Sequence, residues 1–256
     1  MAFRFKKKLG QHFLKDKKIL EKISSIKKIQ NKVVVEVGPG KGSLTRMILE
    51  KNPKKLFVIE KDKTLEQYLL KLKERYPENL EIIFEDALKI NFSRFKKNKI
   101  LLIANLPYNI ASTLIIGWIK NLGIFHSIIV MVQKEVADRL SAKVSSKSYG
   151  RTSVLVQLHS QIIKKFDVSP EKFFPQPKVL SSVIEITPKK KQDFDYQHLD
   201  AILKDSFRQR RKTIKNNLKD FYEDSEKKMI DCGINPSLRP QDIEPKKYLK
   251  LADLLV

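Results

Sequence analysis

Five short apolar runs, separated by segments of helical periodicity, constrain this chain more than any other feature. Val33-Val-Val-Glu-Val37, Lys55-Leu-Phe-Val-Ile59, Leu80-Glu-Ile-Ile-Phe84, Ile100-Leu-Leu-Ile-Ala104 and Ser127-Ile-Ile-Val-Met-Val132 have the length and apolar content of strands. Between them, the stretches 44–50, 64–75 and 112–120 read as helices. Such alternation predicts an α/β fold, a doubly wound parallel sheet with helices on both faces. Ligands bind at the C-terminal ends of strands in these sheets, so the residues directly after each run carry the functional information.

Glu36-Val-Gly-Pro-Gly-Lys-Gly42 ends the first run and opens the first helix. Glycines such as Gly38 and Gly40 let a backbone turn tightly and approach a ligand closely. Ser43 stands where a dinucleotide fingerprint wants its third glycine, and no Gly-Lys-Ser/Thr ending marks a phosphate loop. Glu60 ends the second run, where a carboxylate can accept both hydroxyls of a ribose. Asp86 ends the third and offers an acceptor to an adenine amino group. Asn105-Leu106-Pro107-Tyr108 ends the fourth. It supplies an amide acceptor, a carbonyl on a residue that Pro107 biases towards extended backbone, and a flat aromatic face. Those parts suit the exocyclic amine of a planar base.

From Val154 the rhythm changes. The stretches 154–163 and 181–186 read as an antiparallel edge pair around the Pro-rich loop Phe173-Phe-Pro-Gln-Pro177. Beyond Pro188 the segments 196–218, 223–232 and 246–255 read as helices, stopped by Gly233 and Pro236. The expected organisation is a catalytic domain over 1–187 and a small all-α domain over 188–256, with Lys189-Lys-Lys191 as linker.

Charge bears on the partner. With 52 Lys+Arg against 29 Asp+Glu the net charge is +23, which favours a polyanion because neutralised phosphates release counterions. A lysine-rich background inflates that total, so local density is more telling. Residues 1–32 carry eleven Lys/Arg against two acids, and residues 204–219 carry seven against one, including Arg208, Arg210, Arg211 and Lys212. No run of about 18 uncharged apolar residues suggests a membrane span. The N-terminus lacks the apolar core of a signal peptide, and the lone Cys232 allows neither an intrachain disulfide nor a metal cluster. A cytoplasmic protein without metal is the expectation.

Glu36-x-Gly-x-Gly, Glu60, Asp86 and Asn105-Leu-Pro-Tyr108 together resemble motifs I to IV of class I S-adenosylmethionine-dependent methyltransferases, whose domain is Rossmann-like. Lys7-Lys-Leu-Gly-Gln-His-Phe-Leu14, Phe173-Phe-Pro-Gln-Pro-Lys-Val-Leu-Ser-Ser182, Phe207-Arg-Gln-Arg-Arg-Lys-Thr-Ile-Lys-Asn-Asn217 and Arg239-Pro-Gln-Asp-Ile243 resemble, in order, signatures of the rRNA adenine dimethyltransferase family. Gln241 departs from that family's usual Glu. The C-terminal pieces resemble the branch acting on 16S rRNA more than the antibiotic-resistance branch acting on large-subunit rRNA.

The resemblance implies repeated methyl transfer from S-adenosylmethionine to N6 of two adjacent adenosines in a hairpin loop near the 3′ end of 16S rRNA, within an immature 30S subunit; a monomer is the default expectation. It assigns His12, Leu14, Glu36, Gly38, Gly40, Glu60, Lys61, Asp86, Ala87 and Asn105 to the cofactor. Asn105 and the Leu106 carbonyl, shaped by Pro107, would accept the two amine N–H groups, and Tyr108 would stack on the flipped base. Phe173 or Phe174 would close its other face. Lys6, Lys7, Lys8, Arg208, Arg210, Arg211 and Lys212 would meet RNA. Two alternatives stay open: a large-subunit rRNA dimethyltransferase conferring macrolide resistance, and a ribosome-assembly factor whose binding matters more than methylation.

Overall fold

The computed structural model describes residues 10–95, 99–189 and 195–255. In chain order they form β1 (Phe13–Leu14), α1 (Lys17–Ser24), β2 (Val33–Val37), α2 (Ser43–Leu49), β3 (Lys55–Glu60), α3 (Glu66–Arg75), β4 (Leu80–Phe84), β5 (Ile100–Asn105), α4 (Ala111–Ile119), β6 (Phe125–Gln133), α5 (Lys134–Leu140), α6 (Arg151–His159), β7 (Ser160–Val168), β8 (Phe173–Phe174), β9 (Ser181–Pro188), α7 (Tyr196–Ser206), α8 (Ile214–Leu218), α9 (Ser225–Asp231) and α10 (Pro245–Leu254).

Seven strands make one sheet in the order β4-β3-β2-β5-β6-β9-β7. The first five are parallel, and β9 runs antiparallel to β6 with Ile128 opposite Ile186 and Gln133 opposite Ser181. Every residue of β2 is buried, as are the first five of β5; a strand covered on both faces reads as an unbroken apolar run for this reason. Strand order reverses between β2 and β5, which lie side by side with Glu36 opposite Ile103. The glycine turn and the Asn105 tetrapeptide therefore emerge at one topological switch point. A separate two-stranded ladder pairs β1 with β8, Phe13 opposite Phe174 and Leu14 opposite Phe173.

The chain divides into two compact units. One comprises residues up to Ala137 and Ile162–Pro188; the other comprises Asp138–Gln161 and everything from Lys189. The second unit therefore draws on a segment before residue 188 as well as after it. Its own core gathers Tyr149, Val154, Leu155 and Leu158 with Leu199, Ile214, Met229 and Tyr248, and the Tyr149 hydroxyl donates to the Ile243 carbonyl.

Two expectations need correction. The first six residues of the stretch 154–163 belong to helix α6, and strand β7 begins at Ser160. Val154, Leu155, Val156 and Leu158 are buried on several sides of that helix, so it presents no polar stripe to reveal its period. The stretch 196–218 is likewise broken: residues 207–213 form a turn between α7 and α8.

Candidate functional site

The strand ends are held in register by the ladder that extends past them. Gly38 N–H donates to the Ile59 carbonyl, Glu85 N–H to Glu60, and Leu106 N–H to Met131. One cavity opens along this edge. His12, Leu14, Glu36, Gly38, Gly40, Glu60, Lys61, Asp86, Ala87, Asn105, Leu106, Pro107 and Tyr108 all line it. Leu65 and Ile110 line it too; as single apolar residues they gave no sequence signal.

Both glycines adopt left-handed backbone, Gly38 at φ +68° and Gly40 at φ +60°. A Cβ on Gly40 would stand 2.4 Å from the Phe13 ring, so only glycine lets the N-terminal segment lie against the turn. Glu60 is buried; Oε2 accepts from Gly40 N–H and Oε1 from Asp62 N–H. Burial raises its pKa against those bonds. Asp86 sits at the rim, ion-paired with Lys61 at 2.7 Å and accepting from Leu88 N–H. The Lys61 ammonium keeps its carboxyl below the usual range.

S-adenosylmethionine, the cofactor that the resemblance implies, fits these residues. Glu36 is buried at the cavity wall with Oε2 lacking any hydrogen-bond partner. Burial pushes its pKa up to about 8, with Thr45 pulling the other way without reaching hydrogen-bond geometry. An orphan buried carboxyl oxygen, two further carboxyl acceptors at neighbouring strand ends and a glycine cradle suit a ligand with amino and hydroxyl donors.

The residues 10–16 are fastened across this edge. Gln11 Nε2 donates to Asp62 at 2.9 Å, Asn105 Nδ2 donates to the His12 carbonyl at 2.9 Å, and Lys15 N–H donates to the Lys172 carbonyl. Asp16 caps α1 through Ile19 N–H and pairs with Lys172 at 2.8 Å. The His12 ring lies 2.7 Å through Nδ1 from the Pro175 carbonyl and stacks on Tyr108, centroids 5.3 Å apart and planes 27° apart. The Tyr108 hydroxyl meets the Ser181 hydroxyl, a partner that its distance in sequence conceals.

The aromatic pair separates. Phe173 is 3% exposed and packs in the core of its unit, whereas Phe174 is 48% exposed with the Lys15 ammonium 3.8 Å from its ring centroid. Phe173 is thus removed as a surface for a ligand. Arg208, Arg210, Arg211 and Lys212 are exposed on the turn 207–213, not on a helix. Lys6, Lys7 and Lys8 lie outside the described residues. Among the described residues, no His/Cys/Asp/Glu group could hold a metal ion, and no helix is long and apolar enough to cross a membrane.

A family model described as ribosomal RNA adenine dimethylase matches residues 2–256. A protein of Pelagibacter ubique named ribosomal RNA small subunit methyltransferase A is 41% identical over 98% of this chain and 97% of its own length. Its namesake in Anaplasma phagocytophilum is 41% identical over 99% and 95%. Among solved structures, a dimethyladenosine transferase from Plasmodium falciparum matches with TM-score 0.79 at 28% identity, covering 93% of this chain and 95% of that one. The 23S rRNA methyltransferase ErmE matches with TM-score 0.72 at 20% identity over 95% and 99%, a likeness of fold.

Proposed function

Because the chain belongs to the ribosomal RNA adenine dimethylase family, we propose that it dimethylates N6 of two adjacent adenosines in a hairpin loop near the 3′ end of small-subunit rRNA. It is an S-adenosylmethionine-dependent methyltransferase with a Rossmann-like catalytic sheet. The cofactor, when bound, supplies an activated methyl group on a sulfonium. The small-subunit address follows the names of relatives near 40% identity; the 23S enzyme shares the fold alone. An immature 30S particle as substrate, a monomeric state and a cytoplasmic location complete the reading. The first unit carries the chemistry and the second helps to address the RNA.

One observation carries the mechanism. A carbonyl only accepts, so the His12 backbone oxygen fixes Asn105 Nδ2 towards itself and leaves the Asn105 amide oxygen as the acceptor for a ligand. An adenine amine is a poor nucleophile because its lone pair is delocalised into the ring. Asn105 Oδ1 and the Leu106 carbonyl accept its two N–H groups and favour a more tetrahedral nitrogen, so no strong base is needed before attack. Leu106 is held for this by its N–H on Met131. Tyr108, which stacks on His12 with one ring face, carries the base on the other, with stacking worth roughly 1–3 kcal/mol. Phe174, the exposed member of the aromatic pair, closes the base's other face. Glu60 and Asp86 hold the ribose and adenine of the cofactor, and Glu36 with the glycine turn holds its remainder. Orientation is the main catalytic contribution.

Labelled S-adenosylmethionine offered with undermethylated 30S particles, naked 16S rRNA, 50S particles and DNA tests the proposal. Dimethyladenosine is expected in small-subunit rRNA. Its formation only in 50S particles or DNA would overturn the reading.

A further inference from the structure

Residues 141–151, Ser-Ala-Lys-Val-Ser-Ser-Lys-Ser-Tyr-Gly-Arg, contain no acid, and neither do residues 206–219. Both segments lie in the second unit. Lys143 and Lys147 on the first are exposed, as are Arg208, Arg210, Arg211 and Lys212 on the second. The two are joined. The Arg210 guanidinium donates to the backbone carbonyls of Ser146 and Lys147, spending donors on the protein that a free surface arginine would offer to phosphate.

The turn is also braced from below. Asn217 is 4% exposed. Its Oδ1 accepts from Gln209 N–H at 3.0 Å, and its Nδ2 donates to the carbonyls of Gln209 and Thr213 at 3.2 and 3.1 Å. Thr213 in turn caps α8 through Asn216 N–H. Tyr149, at the end of the first segment, is anchored in the core through its hydroxyl. Two acid-free segments are therefore each fixed to one core and tied to one another, so their cations stand in a set arrangement instead of on independent tethers.

We infer that Lys143 and Lys147 form a second strip of the RNA interface, continuous with the Arg208–Lys212 turn, and that Arg210 is a positioning residue that ties the strips together. This inference rests on the rRNA reading above. The partner is the phosphate backbone, because Lys143, Lys147, Arg211 and Lys212 are exposed cations on segments that carry no acid, and such contacts position without reading sequence.

Salt dependence tests it. Binding of the full chain to naked 16S rRNA is measured over a series of KCl concentrations, and the slope of log affinity against log salt counts the phosphates engaged. Lys143→Gln/Lys147→Gln is expected to flatten that slope by about two. Arg210→Ala is expected to flatten it by more than the single contact its own charge could supply, because the strips separate. S-adenosylmethionine affinity and thermal midpoint report folding and should hold in the double lysine variant, whose altered side chains are exposed. An unchanged slope in that variant overturns the second strip; a loss of one or less in Arg210→Ala overturns its positioning role. A wild-type chain that shows no salt-dependent rRNA binding overturns the underlying reading itself.

Discussion

A backbone carbonyl cannot donate, and that single restriction orients the Asn105 amide across 93 residues of sequence. Asn105→Ala removes the acceptor and, with it, the bond that Nδ2 gives the His12 carbonyl. Turnover is expected to fall about 10²–10³-fold, the range for losing one fixed electrostatic partner, and S-adenosylmethionine affinity, followed by calorimetry, to weaken less than that through the loosened His12 segment. The neighbouring phenylalanines give a second test. Side chains alternate across a strand, so Phe173 and Phe174 must face opposite ways, and only the ladder with β1 decides which faces the core. Phe173→Ala should cost about 3–5 kcal/mol of stability in denaturant unfolding, as core phenylalanine truncations do. Phe174→Ala should leave stability nearly unchanged and slow methylation in the range of one lost base stack, about 1–3 kcal/mol. The sequence could name the pair but not choose within it, because the choice is made by pairing with a strand 160 residues earlier.

At the scale of elements, the central parallel strands β2 and β5 were legible because burial on both faces keeps them largely apolar. The antiparallel strands β9 and β7, the second of them at the sheet edge, obey other forces. Glu185 on β9 is buried at 3% exposure, yet Lys27 and Lys165 each reach it at 2.7 Å and Ser127 donates to it at 3.2 Å. Burial alone would raise its pKa, but the hydrogen-bonded ammonium groups outweigh it and hold the carboxyl at about 2. A folded pKa below the ordinary 4.5 stabilises the native state above that pH and ceases to do so as pH falls towards 2. Acid should therefore erode stability within this window. Glu185→Gln should flatten that part of a pH-dependent unfolding curve and lower stability at neutral pH by about 1–3 kcal/mol, the range for charged hydrogen bonds. Helix α6 and the arginine-rich turn show where local reading fails. The first hides its period by being buried on several sides, and the second has helix-forming residues overruled by the bonds of Asn217.

For the whole molecule, a doubly wound parallel sheet follows from chain rhythm, but membership of the second unit does not. Residues 138–161 join it through burial against helices that begin 35 residues later, and nothing in their composition marks that allegiance. The division yields a test that sets the enzyme against an assembly factor acting through binding alone. If the first unit holds the chemistry and the second the address, the two functions should be separable by substitution. Arg211→Glu/Lys212→Glu reverses two exposed charges on the turn; the KM for undermethylated 30S particles should rise by roughly tenfold or more, since each reversed charge loses a phosphate contact and adds repulsion. Its kcat at saturating particles and its S-adenosylmethionine affinity should stay near wild type. Asn105→Ala should do the reverse, binding particles normally in a sedimentation assay while turnover collapses. A chain whose cellular role is binding alone would be complemented by Asn105→Ala and not by the charge-reversed variant. If methylation is what the cell requires, Asn105→Ala should fail to restore dimethyladenosine or growth in a strain lacking the enzyme, even with the particle fully bound.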